Sequence, residues 1–200
     1  MVNILGIGSS PRKGGNTDVL LRNLLKGANS QNASVEEIHL RDYRFESCIG
    51  CEGCRVAKRC TGLDDEMQLI YPKIHQATGL VLVTPIHNYN MTAFMKAFID
   101  RLYCFYDFGD ERPGDWSSRL ADQGRRVIIA AIGEQSDLEE GGMDLTLKAM
   151  RRPLEALGYE VTGMMPVLGI FDKGEIEKRQ RILDEAKKLG RRLAHEVEPA

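Results

Sequence analysis

The run Gly79-Leu80-Val81-Leu82-Val83-Thr84 constrains the fold more than any other stretch of the chain. It has no charge and no polar side chain before Thr84, so a strand built from it must be covered on both faces. Such a strand belongs in the middle of a parallel sheet, and parallel neighbours need long, usually helical, crossovers. The flanking sequence supplies both. Val2 to Ile7 is a short apolar run closed by Gly8-Ser9-Ser10-Pro11, and Val35 to Leu40 alternates like an edge or half-exposed strand. Val127 to Ile132 stops at Gly133, and Val161 to Gly169 reads as a less regular fifth strand.

Helical spacing fills the intervals. Asn16-Thr17-Asp18 offers N-cap chemistry before Val19, Leu21, Leu24, Leu25 and Ala28. Asp65, with Gln68 at the capping-box position, leads into Leu69, Ile70 and Ile74. A helix from Thr92 to Leu102 is expected to bury Phe94, Met95, Phe98 and Leu102. Met143, Leu147, Met150, Leu154 and Leu157 mark another, stopped by Gly158, and Ile176, Leu183, Ala186, Leu189 and Leu193 mark the last. Tyr103 to Gln123 is polar with scattered aromatics and no clear period, and reads as a long surface excursion. The expectation is α/β: five strands in one doubly wound parallel sheet with helices on both faces. Residues 1–200 then form a single domain, carrying a cysteine-rich loop at 45–65 and a long excursion at 103–125.

Charge excludes some classes of partner. The net charge is −2, with lysines and arginines scattered rather than clustered, which argues against a nucleic-acid surface. No apolar run approaches the ~20 residues that cross a bilayer, so no membrane partner is expected. The chain opens directly into a strand-like run, Met1-Val2-Asn3-Ile4, and no signal peptide is expected. A cytoplasmic location follows, where clustered thiols are more often ligands or redox groups than disulfides.

Four of the five cysteines lie within thirteen residues: Cys48, Cys51, Cys54 and Cys60. Two x₂ gaps and one x₅ gap gather four soft ligands on one loop, which suits an iron–sulfur cluster or zinc. Zinc sites of four cysteines favour two separated Cys-x₂-Cys pairs and match this spacing less well. Arg55, Lys58 and Arg59 lie inside the loop; they could offset a negative cluster, dock an acidic carrier, or form a solvated charged turn. Cys104, in an apolar aromatic stretch, reads as a buried small hydrophobe.

In a doubly wound sheet, ligands bind beyond the carboxyl ends of the strands. Three loops should converge there. The first, Gly8 to Thr17, combines Ser9, Ser10, Arg12, Gly14, Gly15, Asn16 and Thr17, so that hydroxyls, glycines and a helix amino terminus could cradle a phosphate. It matches neither the Walker A pattern nor G-x-G-x-x-G, and a plain Gly/Ser turn is the alternative. The second runs from Thr84 to Met91 and offers Pro85, Ile86, His87, Asn88 and Tyr89 to a flat heteroaromatic ligand, although His87 and Tyr89 could equally be ordinary surface side chains. The third, Gly133-Glu134-Gln135-Ser136, either covers one face of that ligand or is a simple turn.

Three blocks carry a family resemblance. G-S-S-P-R-K-G-G-N-T resembles the phosphate loop of the flavodoxin-like, NAD(P)H-dependent FMN reductases, and Thr84 to Arg101 resembles their second flavin loop and the helix after it. The Cys48–Cys60 motif, followed by Asp64-Asp65-Glu66-Met67, is similar to the iron–sulfur flavoproteins among them. The resemblance implies a flavodoxin-like three-layer sandwich with strand order 2-1-3-4-5. It also implies noncovalent FMN, with Ser9, Arg12, Asn16 and Thr17 on the phosphate and Pro85 to Tyr89 bordering the isoalloxazine. At His87 the family usually carries an aromatic residue, often Tyr, and this chain departs from it. A 4Fe–4S cluster in the cysteine loop is implied as well, one that preparations made in air could lose. So is a homodimer or homotetramer that brings one subunit's cluster near a neighbour's FMN, with the Tyr103–Gln123 excursion as a candidate interface. The implied activity is a flavin-dependent oxidoreductase passing electrons between cluster and FMN. Its partner would be a ferredoxin, a quinone, NAD(P)H, oxygen or a peroxide. Three other readings stay open: an NAD(P)H-dependent FMN or quinone reductase without a functional cluster, a zinc-stabilised loop, and a flavin electron carrier or redox sensor with no substrate of its own.

Overall fold

Each apolar run becomes a strand. A computed structural model describes residues 2–110 and 114–197. The strands are β1 (Asn3–Gly8), β2 (Ser34–His39), β3 (Gly79–Pro85), β4 (Tyr106–Phe108), β5 (Trp116–Ser118), β6 (Arg126–Ile132) and β7 (Glu160–Val167). The helices are α1 (Asn16–Asn29), α2 (Cys54–Ala57), α3 (Met67–Gln76), α4 (Ala93–Arg101), α5 (Met143–Ala156) and α6 (Gln180–Glu196). Five strands form one sheet in the order β2-β1-β3-β6-β7, every pair parallel. With the short pair β4 and β5 set aside, this is the expected 2-1-3-4-5 order of a flavodoxin-like fold.

The central strand explains the layers. Leu82 of β3 pairs with Ile7 of β1 and Ile129 of β6, and Leu80 to Val83 are completely buried. Side chains alternate across the sheet. Leu80 and Leu82, with Leu5, Ile7, Val127 and Ile129, pack with α3, α4 and α5. Val81 and Val83, with Ile4, Ile128 and Ala130, pack with α1 and α6 on the other face. Helices α1 and α6 meet backbone to backbone: a Cβ at Gly190 would run into the Leu24 carbonyl, and one at Gly27 into the Lys187 carbonyl.

Several local expectations change. The N-cap of α1 is Gly15 and Asn16 is its first residue; Asp18 reaches back to accept from Gly14 N at 2.8 Å. Asp65 does help start α3, its Oδ1 accepting from Met67 N at 3.1 Å, but no capping box closes. Gln68 instead donates to the carbonyls of Cys60 (3.2 Å) and Leu63 (3.0 Å), because the cysteine loop folds back over that turn. Thr92 caps α4 through Met95 N at 3.2 Å. Met95, Phe98 and Leu102 are buried as expected, whereas Phe94 lies on the outer side of the first turn and is exposed. The Tyr103–Gln123 excursion contains the antiparallel pair β4–β5, with Tyr106 opposite Ser118 and Phe108 opposite Trp116; residues 111–113 lie outside the described residues.

The contact of α1 with α6 sets a stability test. Gly190→Ala pushes the two helices apart and is expected to lower the unfolding free energy by about 1–3 kcal/mol, read from urea denaturation. An unchanged midpoint would mean that the helices can separate freely.

Candidate functional site

Four loops, not three, meet at the carboxyl edge of the sheet. Ser10, Arg12, Gly15, Asn16 and Thr17, the segment Pro85-Ile86-His87, Ile132-Gly133-Glu134, and Ile170, Phe171 and Lys173 line a cleft of about 170 Å³. A neighbouring cleft of about 190 Å³ shares Ile86, Gly133 and Glu134 and adds Asn88, Tyr89, Gln135, Asp137, Gly141, Met143 and Leu168. The first loop ends in free donors. The first bond of α1 runs from Val19 N to Gly15 O, so the N–H groups of Asn16, Thr17 and Asp18 precede the helical ladder. Ser10 Oγ tightens the turn by accepting from Arg12 N at 3.1 Å.

The two serines separate. Ser9 is fully buried; its N–H donates to Val83 O at 3.0 Å and its carbonyl accepts from Thr92 Oγ1 at 3.1 Å. It ties β1 to β3 and α4 and does not line the cleft, because it continues the strand's bonding one residue past β1. Asn16 commits its side chain to another segment. Its Nδ2 donates to Asp172 O (2.8 Å) and its Oδ1 accepts from Ile176 N (3.2 Å). That pins the fourth loop over the first, with the Arg12 guanidinium 5.8 Å from the Phe171 ring. Buried Asp18 would oppose an anion at the amino end of α1. Arg41 offsets it with a two-pronged bond (2.9 and 2.8 Å) and also donates to Ser10 O at 3.0 Å. Arg12 and Lys173 are therefore the cations on the cleft wall.

The second loop turns sharply. His87 N donates to Asn90 O at 2.8 Å and Asn90 N to His87 O at 3.1 Å, around Asn88 (φ 47°) and Tyr89 (φ 66°). Both central residues have positive φ, as a type I′ turn requires. For a tyrosine this costs roughly 1–3 kcal/mol, which the surrounding structure must offset. Gly142, itself at φ 74°, packs so closely on the Tyr89 carbonyl that no side chain fits there. His87, Asn88 and Tyr89 are exposed at the mouth of the clefts. At Gly133 a Cβ would stand 3.2 Å from Ile86 Cγ1 and 3.4 Å from Met143 Cε, so glycine keeps the cleft floor low.

The cysteine loop makes a separate site. Cys48, Cys51, Cys54 and Cys60 line one cavity of about 380 Å³, whose wall includes Asp100, Arg101, Tyr103 and Cys104. All five cysteines are free thiols. Among the described residues no three or more His, Cys, Asp or Glu groups close around a single ion position. Burial pushes the Cys54 thiol up, reinforced by Cys60, Cys48 and Cys51 around it. Cys104 is buried, as expected, and burial raises its thiol to about 11. The cavity shares no lining residue with the two clefts.

Two devices hold this loop. Beneath it lies Arg101, 2% exposed. Its Nη1 donates to Asp65 Oδ2 (2.6 Å) and Glu46 O (2.9 Å), its Nη2 to Asp65 Oδ1 (3.0 Å), and its Nε to Tyr71 Oη (3.1 Å). Burial would raise the Asp65 carboxyl, but bonds from Arg101, Glu46 N and Met67 N outweigh it and hold it below the usual carboxylate range. Above lies the β4–β5 hairpin. Arg119 bridges Asp107 (2.9 Å), Lys58 O (2.7 Å) and Cys104 O (2.6 Å), and Lys58 Nζ sits 2.7 Å from Asp107. Arg55 donates to Gly109 O (3.2 Å) and stacks 5.0 Å from the Phe108 ring. Arg55 and Lys58 are thus committed to the hairpin, which weighs against a free basic patch; Arg59 is exposed.

The pattern defined by the NADPH-dependent FMN reductase family matches residues 2–137. The chain belongs to this family of flavin-dependent oxidoreductases. An iron–sulfur flavoprotein of Archaeoglobus fulgidus is 29% identical over 195 residues, covering 97% of this chain and 80% of that one. An iron–sulfur flavoprotein of Methanocaldococcus jannaschii is 32% identical over 100 residues, so the match spans about half of each protein, 50% of this chain and 51% of the relative. The solved NAD(P)H:quinone oxidoreductase from Methanothermobacter marburgensis superposes with a TM-score of 0.74 over 95% of this chain and 98% of that one; at 15% identity it shows the shared fold.

Sequence reasoning missed Phe171 and Lys173, which lie in a polar turn without a period. It also missed the burial of Arg101, which reads locally as a cation ending a helix.

The Asp65–Arg101 pair gives a pH-dependent test. Because folding depresses the Asp65 pKa, its stabilisation is present above the unfolded value of about 3.9 and is lost as pH falls through the folded value. Asp65→Asn is expected to cost about 3 kcal/mol near neutral pH, with the gap to wild type closing at more acidic pH. Denaturation curves at several pH values check this, and a gap independent of pH would contradict it.

Proposed function

We propose that this protein is an FMN-dependent oxidoreductase that passes electrons between FMN in the carboxyl-edge cleft and an iron–sulfur cluster held by Cys48, Cys51, Cys54 and Cys60. The observation that carries the reading is the single cavity of about 380 Å³ onto which all four cysteines open. In a 4Fe–4S cluster each iron takes its own thiolate, so the sulfurs surround a volume rather than a point. A lone zinc ion needs four sulfurs within ~2.3 Å of one position, which fits this arrangement less well.

The flavin half rests on family membership and on the chemistry of the cleft. The Asn16 and Thr17 amides at the start of α1 would take the phosphate together with Ser10, Arg12 and Lys173, while the Gly14 and Gly15 amides, bonded to Asp18 Oδ2 and Arg12 O, shape the loop without touching the ligand. Pro85, Ile86, His87, Asn88 and Tyr89 would border the ring, and Gly133 would let it approach. Ser9 would hold the first loop on β3 without touching the ligand. FMN held there would supply one- or two-electron chemistry and a cluster one-electron chemistry, and the proton that accompanies full flavin reduction would exchange with solvent at the exposed His87–Tyr89 mouth. Within one chain the cavity and the cleft share no lining residue. This favours a homodimer or homotetramer that brings the cysteine cavity of one copy to the cleft of another. NAD(P)H, a quinone or a ferredoxin would complete the circuit, and the free thiols suit a reducing cytoplasm.

Purification without oxygen, a visible spectrum and assays for iron and sulfide test the whole reading. Flavin bands together with broad absorption that bleaches on reduction are expected, and Cys51→Ser should lose iron while keeping FMN. Flavin without iron would leave an NAD(P)H-dependent FMN or quinone reductase.

Lys173 gives a separate test of the flavin cleft. Lys173→Gln should weaken FMN binding about tenfold, or about 1.4 kcal/mol, and leave riboflavin binding unchanged. Fluorescence titration of the apoprotein reads both, and equal weakening of the two ligands would remove Lys173 from the phosphate site.

A further inference from the structure

Arg101 is among the largest fully buried side chains of the protein, and one of its bonds points into the cysteine cavity: Nη2 lies 3.5 Å from Cys60 Sγ. We propose that the Arg101–Asp65 pair sets the reduction potential of the cluster in the cysteine cavity, with Arg101 as a fixed cation and hydrogen-bond donor to the Cys60 sulfur and Asp65 as its counter-charge. The inference rests on the cluster reading above.

Stability alone gives a weak reason for this arrangement. Burying an arginine–carboxylate pair is often no better than packing apolar side chains of the same volume. The guanidinium does tie Glu46, Asp65 and Tyr71 together, but those bonds leave one edge of the fork directed at a sulfur. Thiolates that bind a cluster keep much of their negative charge. A donor and a cation at one of them stabilise the reduced, more negative state and raise the potential, and the low dielectric around a buried group strengthens the effect. The carboxylate of Asp65, bonded to both Nη atoms of the same guanidinium, works in the opposite sense. The pair therefore contributes two opposed charges beside one ligand.

That opposition supplies the test. Arg101 and Asp65 are positioning residues, and a purely structural role predicts that loss of either loosens the loop in the same way. The potential-setting role predicts opposite signs. In protein prepared without oxygen, the midpoint potential of the cluster is expected to rise in Asp65→Asn, which keeps the guanidinium and removes the negative charge. It is expected to fall in Arg101→Gln, which does the reverse. Tyr71→Phe keeps both charges and should leave the potential near wild type. The potential of bound FMN serves as an internal reference and should stay fixed throughout. Arg101→Gln strands a carboxylate, so where it fails to fold, the double variant Arg101→Gln/Asp65→Asn replaces it and is expected to fall below Asp65→Asn. Shifts of the same sign, or none, overturn the inference. So does loss of iron from every variant while the wild type is loaded, which assigns the pair to holding the loop. A wild type without iron and sulfide overturns the cluster reading and this inference with it.

Discussion

Leu80 to Val83 must be buried from both sides of a single strand, and the layout of the molecule follows from that demand. Covering both faces requires α1 and α6 on one side and α3, α4 and α5 on the other. Parallel pairing then brings all five carboxyl ends of the sheet strands to one edge. The cleft lies there because strand order reverses about β1 and β3, so the loops that follow these strands diverge and leave space between them. The cysteine loop is the other product of the same plan. It occupies the connection from β2 to α3, where Cys54 and Cys60 pack against the core on the α3–α5 face.

Both sites rest on an arginine held by a carboxylate. At the cleft, Arg41 neutralises Asp18 where the amino end of α1 offers donors to an anion. At the cysteine cavity, Arg101 neutralises Asp65 below four thiols. The geometry differs in one respect. Arg41 turns a donor of Nη1 to a backbone carbonyl, Ser10 O, and fixes a loop, whereas Arg101 directs one toward a side-chain sulfur. The first pair shapes a binding loop; the second stands next to the atoms that would carry the redox group.

Much of this was legible in the sequence wherever the signal was local. Four of the five sheet strands carry apolar runs with Gly or Pro punctuation and β2 shows edge-strand alternation, and the four cysteines are gathered on one loop by spacing alone. What was not legible depends on distant partners or short elements. Three-residue strands such as Tyr106–Phe108 are too short to alternate visibly. The tie between Asn16 and Asp172 spans 156 residues, so nothing near Asn16 distinguishes a loop clamp from a phosphate ligand. Ser9 and Ser10 are chemically identical neighbours, and only the strand bonding of Ser9 to Val83 decides which one lines the cleft. Gln68 has the spacing of a capping box, yet two loop carbonyls were better placed to take its amide.

The order within the cysteine loop has its own physical source. Left-handed backbone at Gly50, Glu52 and Lys58 confines the loop's own ladder to the single turn of α2. It is held from outside, by Arg101 below and by the hairpin through Arg119, Asp107 and Phe108 above. A loop built this way can wrap a bulky group without the sheet moving, because its restraints end on side chains rather than on strand bonds. The cleft at the carboxyl edge is the opposite case: its walls are direct continuations of β1, β3, β6 and β7. One fold thus carries a rigid site fixed by sheet registry and a second site fixed by charge and packing. The second can be altered through Arg101, Asp65 or the hairpin while the first keeps its shape.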